Sequence, residues 1–155
     1  MNRPNERATK IVQEYAKYDS WEDRYKAIIA RGKAAAPLED LKKTEEAKVR
    51  GCQSQVWLHA KLTSENEIEF EADSDAMIVK GLVSILVDVY NKSLPEEILA
   101  HSPQFLNELG FQTHLSPSRA NGLNSMLKQI RNFAIAFQTL LNMKQQAQPK
   151  PQSKT

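Results

Sequence analysis

Cysteine is nearly absent from this chain: Cys52 is the only one in 155 residues. That excludes an internal disulfide, a four-thiolate metal centre and a Cys-x-x-Cys redox pair. Histidine is scarce too. His59, His101 and His114 fall in three separate segments, whereas a zinc site needs about four converging ligands, so no metal site is expected. Neither a Gly-rich phosphate loop nor a Schiff-base lysine motif is present. There is no apolar run of about 18 residues or more, so no membrane span is expected. The opening Met1-Asn2-Arg3-Pro4 has no apolar signal core; with a single cysteine, this predicts a reducing cytoplasm. A concentrated basic surface is also missing. The formal charge is +2, but Lys144, Lys150 and Lys154 stand after Leu141 without an acidic neighbour. The rest of the chain is therefore slightly acidic, which argues against nucleic-acid binding.

What remains is an ordinary globular composition, 41% hydrophobic and 26% charged, long enough for one domain with its own core. Ala8, Ile11, Val12, Tyr15 and Ala16 recur at helical spacing. Asp19 or Ser20 caps a second helix with the stripe Trp21, Tyr25, Ile28 and Ile29, and Gly32 reads as its stop. Residues 33–48 read as a long connection. From Val56 the period becomes two: Val56, Leu58, Ala60 and Leu62, then Ile68, Phe70 and Ala72, predict a β-hairpin with one buried and one polar face. Lys61 should face a glutamate across it, His59 should be solvated, and Lys48 to Arg50 could add a short third strand. Asp73-Ser74-Asp75 reads as the cap of an apolar helix whose Gly81 implies close packing. Two short helices follow, opened by Leu94-Pro95 and carrying Phe105, Leu106 and Leu109. The final helix starts at Ser116-Pro117 and carries apolar positions to Leu141. The order predicts an α+β fold, a small antiparallel sheet of two to three strands packed against N- and C-terminal helices. The domain is expected over residues 1–141, with 142–155 as a disordered tail.

The candidate chemistry centres on Cys52. By residue type it reads as a small buried hydrophobe, yet Gly51, Gln53 and Ser54 make an unlikely core segment. Lys48 and Arg50 would favour its thiolate if they lie near the sulfur. A cysteine-dependent hydrolase or acyltransferase pairing Cys52 with His114 is one alternative; a non-catalytic adaptor is another. Arg119, in the first turn of the last helix, reads equally as a solvated cation or as one aimed at an anion. Trp57 and Phe70 read as packing residues.

Three blocks add a resemblance. Val49-Arg50-Gly51-Cys52-Gln53-Ser54-Gln55-Val56-Trp57-Leu58, Ala72 to Leu82 and Thr113 to Leu123 resemble the SufE family of sulfur acceptors, to which CsdE is closely related, in order and across most of the chain. The resemblance implies a SufE/IscU-like fold and a sulfur carrier that takes persulfide sulfur from a SufS-type cysteine desulfurase onto Cys52. It implies stimulation of that enzyme and delivery to a SufBCD-type scaffold for iron–sulfur cluster assembly. Pyridoxal phosphate would belong to the desulfurase, so this chain is expected to bind no cofactor. Gly51, Gln53, Asp75, His114 and Arg119 fall in the matching blocks and would support the cysteine. The resemblance also allows a homodimer. IscU-type cluster scaffolding uses three cysteines, and the single thiol here disfavours it.

Overall fold

The computed structural model describes residues 2–147. Two helices open the chain, α1 (Arg3–Ala16) and α2 (Trp21–Ala34), followed by a 3-10 turn at Asp40–Lys42. The hairpin β1 (Val56–Leu62) and β2 (Ile68–Ser74) comes next, then α3 (Met77–Tyr90), α4 (Pro95–Ala100), α5 (Phe105–Glu108), α6 (Phe111–His114) and the long α7 (Pro117–Ala147). The architecture is α+β with a two-stranded antiparallel sheet. The expected third strand is reduced to a bridge, Lys48 to Trp57. It is closed by Val49 N–H to the Val56 carbonyl at 2.8 Å and Leu58 N–H to that of Ala47 at 2.9 Å.

Helix α3 lies at the centre. Ile85, Leu86 and Val89 are fully enclosed, each contributing roughly 1.5–3 kcal/mol of apolar burial. It packs on α1, α2, β2 and α7. Its approach to α2 depends on two glycines. A Cβ on Gly81 would lie 2.1 Å from the Ile28 carbonyl oxygen, and one on Gly32 would lie 2.4 Å from that of Met77. Gly81 thus packs closely as its sequence position implied. Gly32 does not stop its helix; α2 runs on to Ala34, and the glycine is a backbone-contact position.

The hairpin register pairs Lys61 with Glu69, and their side chains meet at 3.5 Å. The outer sheet face is less open than a polar face should be. The connection at residues 35–48 lies across it as a strap, so Trp57 and Asp73, partners in register, are both buried. Lys43 sits 5.2 Å from the Trp57 ring. Asp73 accepts from Leu38 N–H at 2.9 Å and faces Lys43 at 3.3 Å and Lys80 at 3.5 Å. His59 is half-buried, with its Nδ1 enclosed, rather than solvated.

The acidic pair before α3 is not a helix cap. The helix begins after Ala76, which provides no side-chain cap, and the two carboxylates accept backbone N–H groups from Leu38, Ser74 and Gln55 rather than from the helix. Ser20, not Asp19, caps α2 through Asp23 N–H at 3.1 Å. Ser116 Oγ accepts from Arg119 N–H at 3.3 Å at the start of α7. That helix continues past Leu141 to Ala147, because Asn142 to Ala147 includes good helix formers and no proline. The remainder of the expected tail, 148–155, lies outside the described residues.

Candidate functional site

Cys52 sits on a short loop between the Val49 bridge and β1. The loop is held firmly at its ends. Val49 is buried and bonded to Val56. Gln55 donates its N–H to Asp75 Oδ1 at 3.0 Å, and its carbonyl accepts from Asp75 N–H at 3.2 Å and Ser74 Oγ at 2.8 Å. Asp75, expected as a cap, is instead a clasp for the loop. Between these anchors the chain turns at Gly51, whose φ of 91° lies in the region that favours glycine.

The sulfur points inward. Cys52 is half-buried, not exposed, and its thiol donates to the Gly122 carbonyl of α7 at 3.6 Å. This is the single hydrogen bond made by the side chains of residues 50–54 among the described residues. Gly122 makes room for it: a Cβ there would lie 3.3 Å from Sγ. The sulfur faces a cavity of about 340 Å³ whose lining includes Gln53, Val79, Leu82, Arg119 and Leu123. Burial pushes the Cys52 thiol up from its ordinary value. Lys48 and Arg50 do not lower it; burial is the sole cause acting on the thiol.

Arg119 brings a cation to the cavity wall. Its Nη1 donates to the Tyr25 hydroxyl at 3.0 Å, with the guanidinium 5.9 Å from that ring. Of the residues singled out from sequence, Gly51, Gln53 and Arg119 gather around Cys52, and Asp75 grips the loop from outside the cavity. His114 does not line the cavity. It is exposed at the end of α6 and stacks on Trp21, ring centroids 4.6 Å apart and 14° from parallel. Gly122 and Tyr25 were missed. Gly122 stood in a block already singled out, and Tyr25 was absorbed into an apolar stripe although its hydroxyl needs a partner when buried.

Among the described residues no group of three or more His, Cys, Asp or Glu side chains converges on a metal-sized site, and no helix is long and apolar enough to cross a membrane. The fold and site define a class: an α+β protein with one thiol, sheltered in a cavity at a loop with anchored ends. The comparisons with known proteins narrow it. Residues 9–134 match the SufE family, described as an Fe-S metabolism associated domain. The chain is 44% identical over 129 residues to an uncharacterized SufE-like protein of Rhizobium etli, covering 81% of this chain and 87% of the relative. It is 39% identical to another from Rhizobium meliloti, again covering 81% of this chain and 92% of the relative. The solution structure of a hypothetical protein from Thermus thermophilus shares the fold with a TM-score of 0.72 at 19% identity, covering 90% of this chain and 99% of that one. The chain belongs to the SufE family, and its family role is sulfur transfer in Fe–S metabolism.

Proposed function

We propose that this protein takes persulfide sulfur from a SufS-type cysteine desulfurase onto Cys52 and hands it to a SufBCD-type scaffold in the cytoplasm. The Cys52 thiolate attacks the terminal sulfur of the desulfurase persulfide. A sulfur–sulfur bond forms at Cys52, the original one breaks, and the desulfurase cysteine leaves as thiolate. The step is redox-neutral, and the proton lost by Cys52 balances the one regained by the leaving thiolate. Clearing the donor also frees the desulfurase for another turnover, which is the basis of stimulation.

The observation that carries this reading is the lone thiol, half-buried in its own cavity on a loop tethered by one weak bond. A carrier needs a sheltered resting place and an exit from it. A second thiol would resolve the persulfide to a disulfide and release the sulfide early; the chain contains none. Gln53 and Arg119 support the site from the cavity wall, with Tyr25 positioning Arg119. Arg119 is placed to stabilise the anionic form of the persulfide when it returns to the cavity.

Mass spectrometry after incubation with cysteine and the desulfurase tests the reading. Wild-type protein should gain mass in units of one sulfur atom, removable by reductant, and Cys52→Ser should gain none. If Cys52→Ser still stimulates sulfide release fully, covalent transfer through this residue is wrong. Hydrogen–deuterium exchange adds a second check, because an Arg50–Gln55 segment unchanged by the desulfurase would count against loop extension.

A further inference from the structure

Further along α7 from Gly122 a second depression adjoins the cysteine loop. Its volume is about 370 Å³, and its lining includes Lys48 and Arg50 before the loop and Ser125, Lys128 and Asn132 on the helix. Glu46 is its one acidic wall residue, against three cations. Arg50 and Lys128 are exposed. Neither ion-pairs with a carboxylate among the described residues. Lys48 meets only Glu45, an exposed carboxylate three residues away, a pairing that solvent screens heavily.

This cleft is joined mechanically to the thiol. A Cβ on Gly51 would lie 2.7 Å from Ser125 Oγ, so the loop rests on Ser125 at one end of the cleft and on Gly122 at the sulfur. Ser125 to Asn132 extends about 10 Å along the helix, enough for a few residues of an extended or helical partner segment. The cations belong to a chain whose remaining surface is, on balance, acidic or neutral. They are therefore a local feature beside the reactive loop.

We propose that this cleft docks an acidic segment of the sulfur-donating desulfurase and sets that partner in register with Cys52. The proposal rests on the sulfur-carrier reading. Charges placed outside the reacting atoms speed encounter and fix register without touching the chemistry. The cleft cations should therefore govern how much carrier is needed and not how fast a saturated complex turns over.

The test titrates the full-length protein into a desulfurase sulfide-release assay at several NaCl concentrations, with Arg50→Glu/Lys128→Glu and Lys128→Arg beside wild type. Circular dichroism confirms that each variant is folded. The double reversal should raise the apparent KM for the carrier about tenfold with kcat unchanged, and Lys128→Arg should behave as wild type. The wild-type KM should climb with salt, while that of the double reversal should fall as salt screens the repulsion it introduces. An apparent KM insensitive both to reversal and to salt overturns the cleft and leaves the carrier reading standing, as does a fall in kcat alone. If wild type neither accepts sulfur nor stimulates release at any concentration, the carrier reading fails and the partner named here fails with it.

Discussion

Replacing Gly122 with alanine separates the sheltering of the thiol from the stability of the fold. Gly122 lies inside α7, where alanine is favoured over glycine by about 1 kcal/mol. The new Cβ would stand 3.3 Å from Cys52 Sγ, 3.8 Å from its Cβ and 3.9 Å from its Cα. Every one of these contacts is to a single loop residue, held by one sulfur hydrogen bond at 3.6 Å. The loop yields by a few tenths of an ångström and the helix does not. Stability should rise by up to about 1 kcal/mol, or roughly 2–4 °C in Tm. Cys52 should meanwhile move outward. Because burial holds its thiol above the ordinary value, outward movement lowers the pKa. Iodoacetamide alkylation followed against pH reads this directly, and the midpoint should fall while the rate at neutral pH rises. An unmoved midpoint with an unchanged or slower rate would refute the reasoning that Gly122 shelters the sulfur. A clear loss of stability would refute the reasoning that the loop is the compliant partner.

Three further predictions test the frame around the site. In Gly81→Ala the Cβ would meet the Ile28 carbonyl at 2.1 Å, and two packed backbones cannot yield as a loop can. Chemical denaturation should show a loss of about 3 kcal/mol or more, and a gain would contradict the α2–α3 contact. Asp75→Ala removes the acceptor for Gln55 N–H; hydrogen exchange at 50–55 should quicken while the core stays unchanged, and equal protection in both proteins would remove Asp75 from its clasping role. Glu97 is buried, which works against its charge, but hydrogen bonds from Arg3 and the Leu94 backbone outweigh this and hold it at about 2. A depressed carboxylate stabilises the fold above its unfolded value, and the benefit fades as pH falls through the folded one. Glu97→Gln should therefore cost about 2 kcal/mol at pH 7, a gap that closes between 4.5 and about 2. A gap unchanged across that window would assign the cost to packing.

The elements whose physics is local were legible in the sequence. Helical stripes placed α1, α2, α3 and α7, and the alternation at Val56–Leu62 placed the hairpin with Lys61 facing a glutamate, which the register makes Glu69. Gly32 and the two aspartates were misread for one reason: a glycine late in a helix, or a carboxylate before one, is ambiguous until its distant neighbour is known. Gly32 meets Met77, Asp73 meets Leu38, and Asp75 meets Gln55. The strap at 35–48 hid for the same reason. Its attachment is to a buried acid in β2, and nothing in its own composition advertises a sheet beneath it. In the site, the loop residues were visible because they are contiguous, whereas Gly122 and Tyr25 belong to two helices that meet the loop only in space.

The position of Cys52 sets shelter against reactivity, and the balance can be weighed. The thiolate is the attacking species, yet burial in the cavity raises the thiol's pKa. Under the proposed carrier role, the resting site keeps sulfur and attack belongs to an extended loop. Extension breaks one weak sulfur hydrogen bond and exposes a small side chain that is already half-exposed, a cost of about 1–2 kcal/mol. That would place an extended form at roughly 3–15% of molecules, within the reach of partner binding. Gly51 can change its backbone freely where other residues would be strained. The bonds at Val49 and Gln55 keep the displacement from spreading into β1. A tighter cavity would protect the sulfur better and release it more slowly; a looser one would do the reverse. For the proposed carrier role, the thinness of the tether is as necessary as the absence of a second thiol.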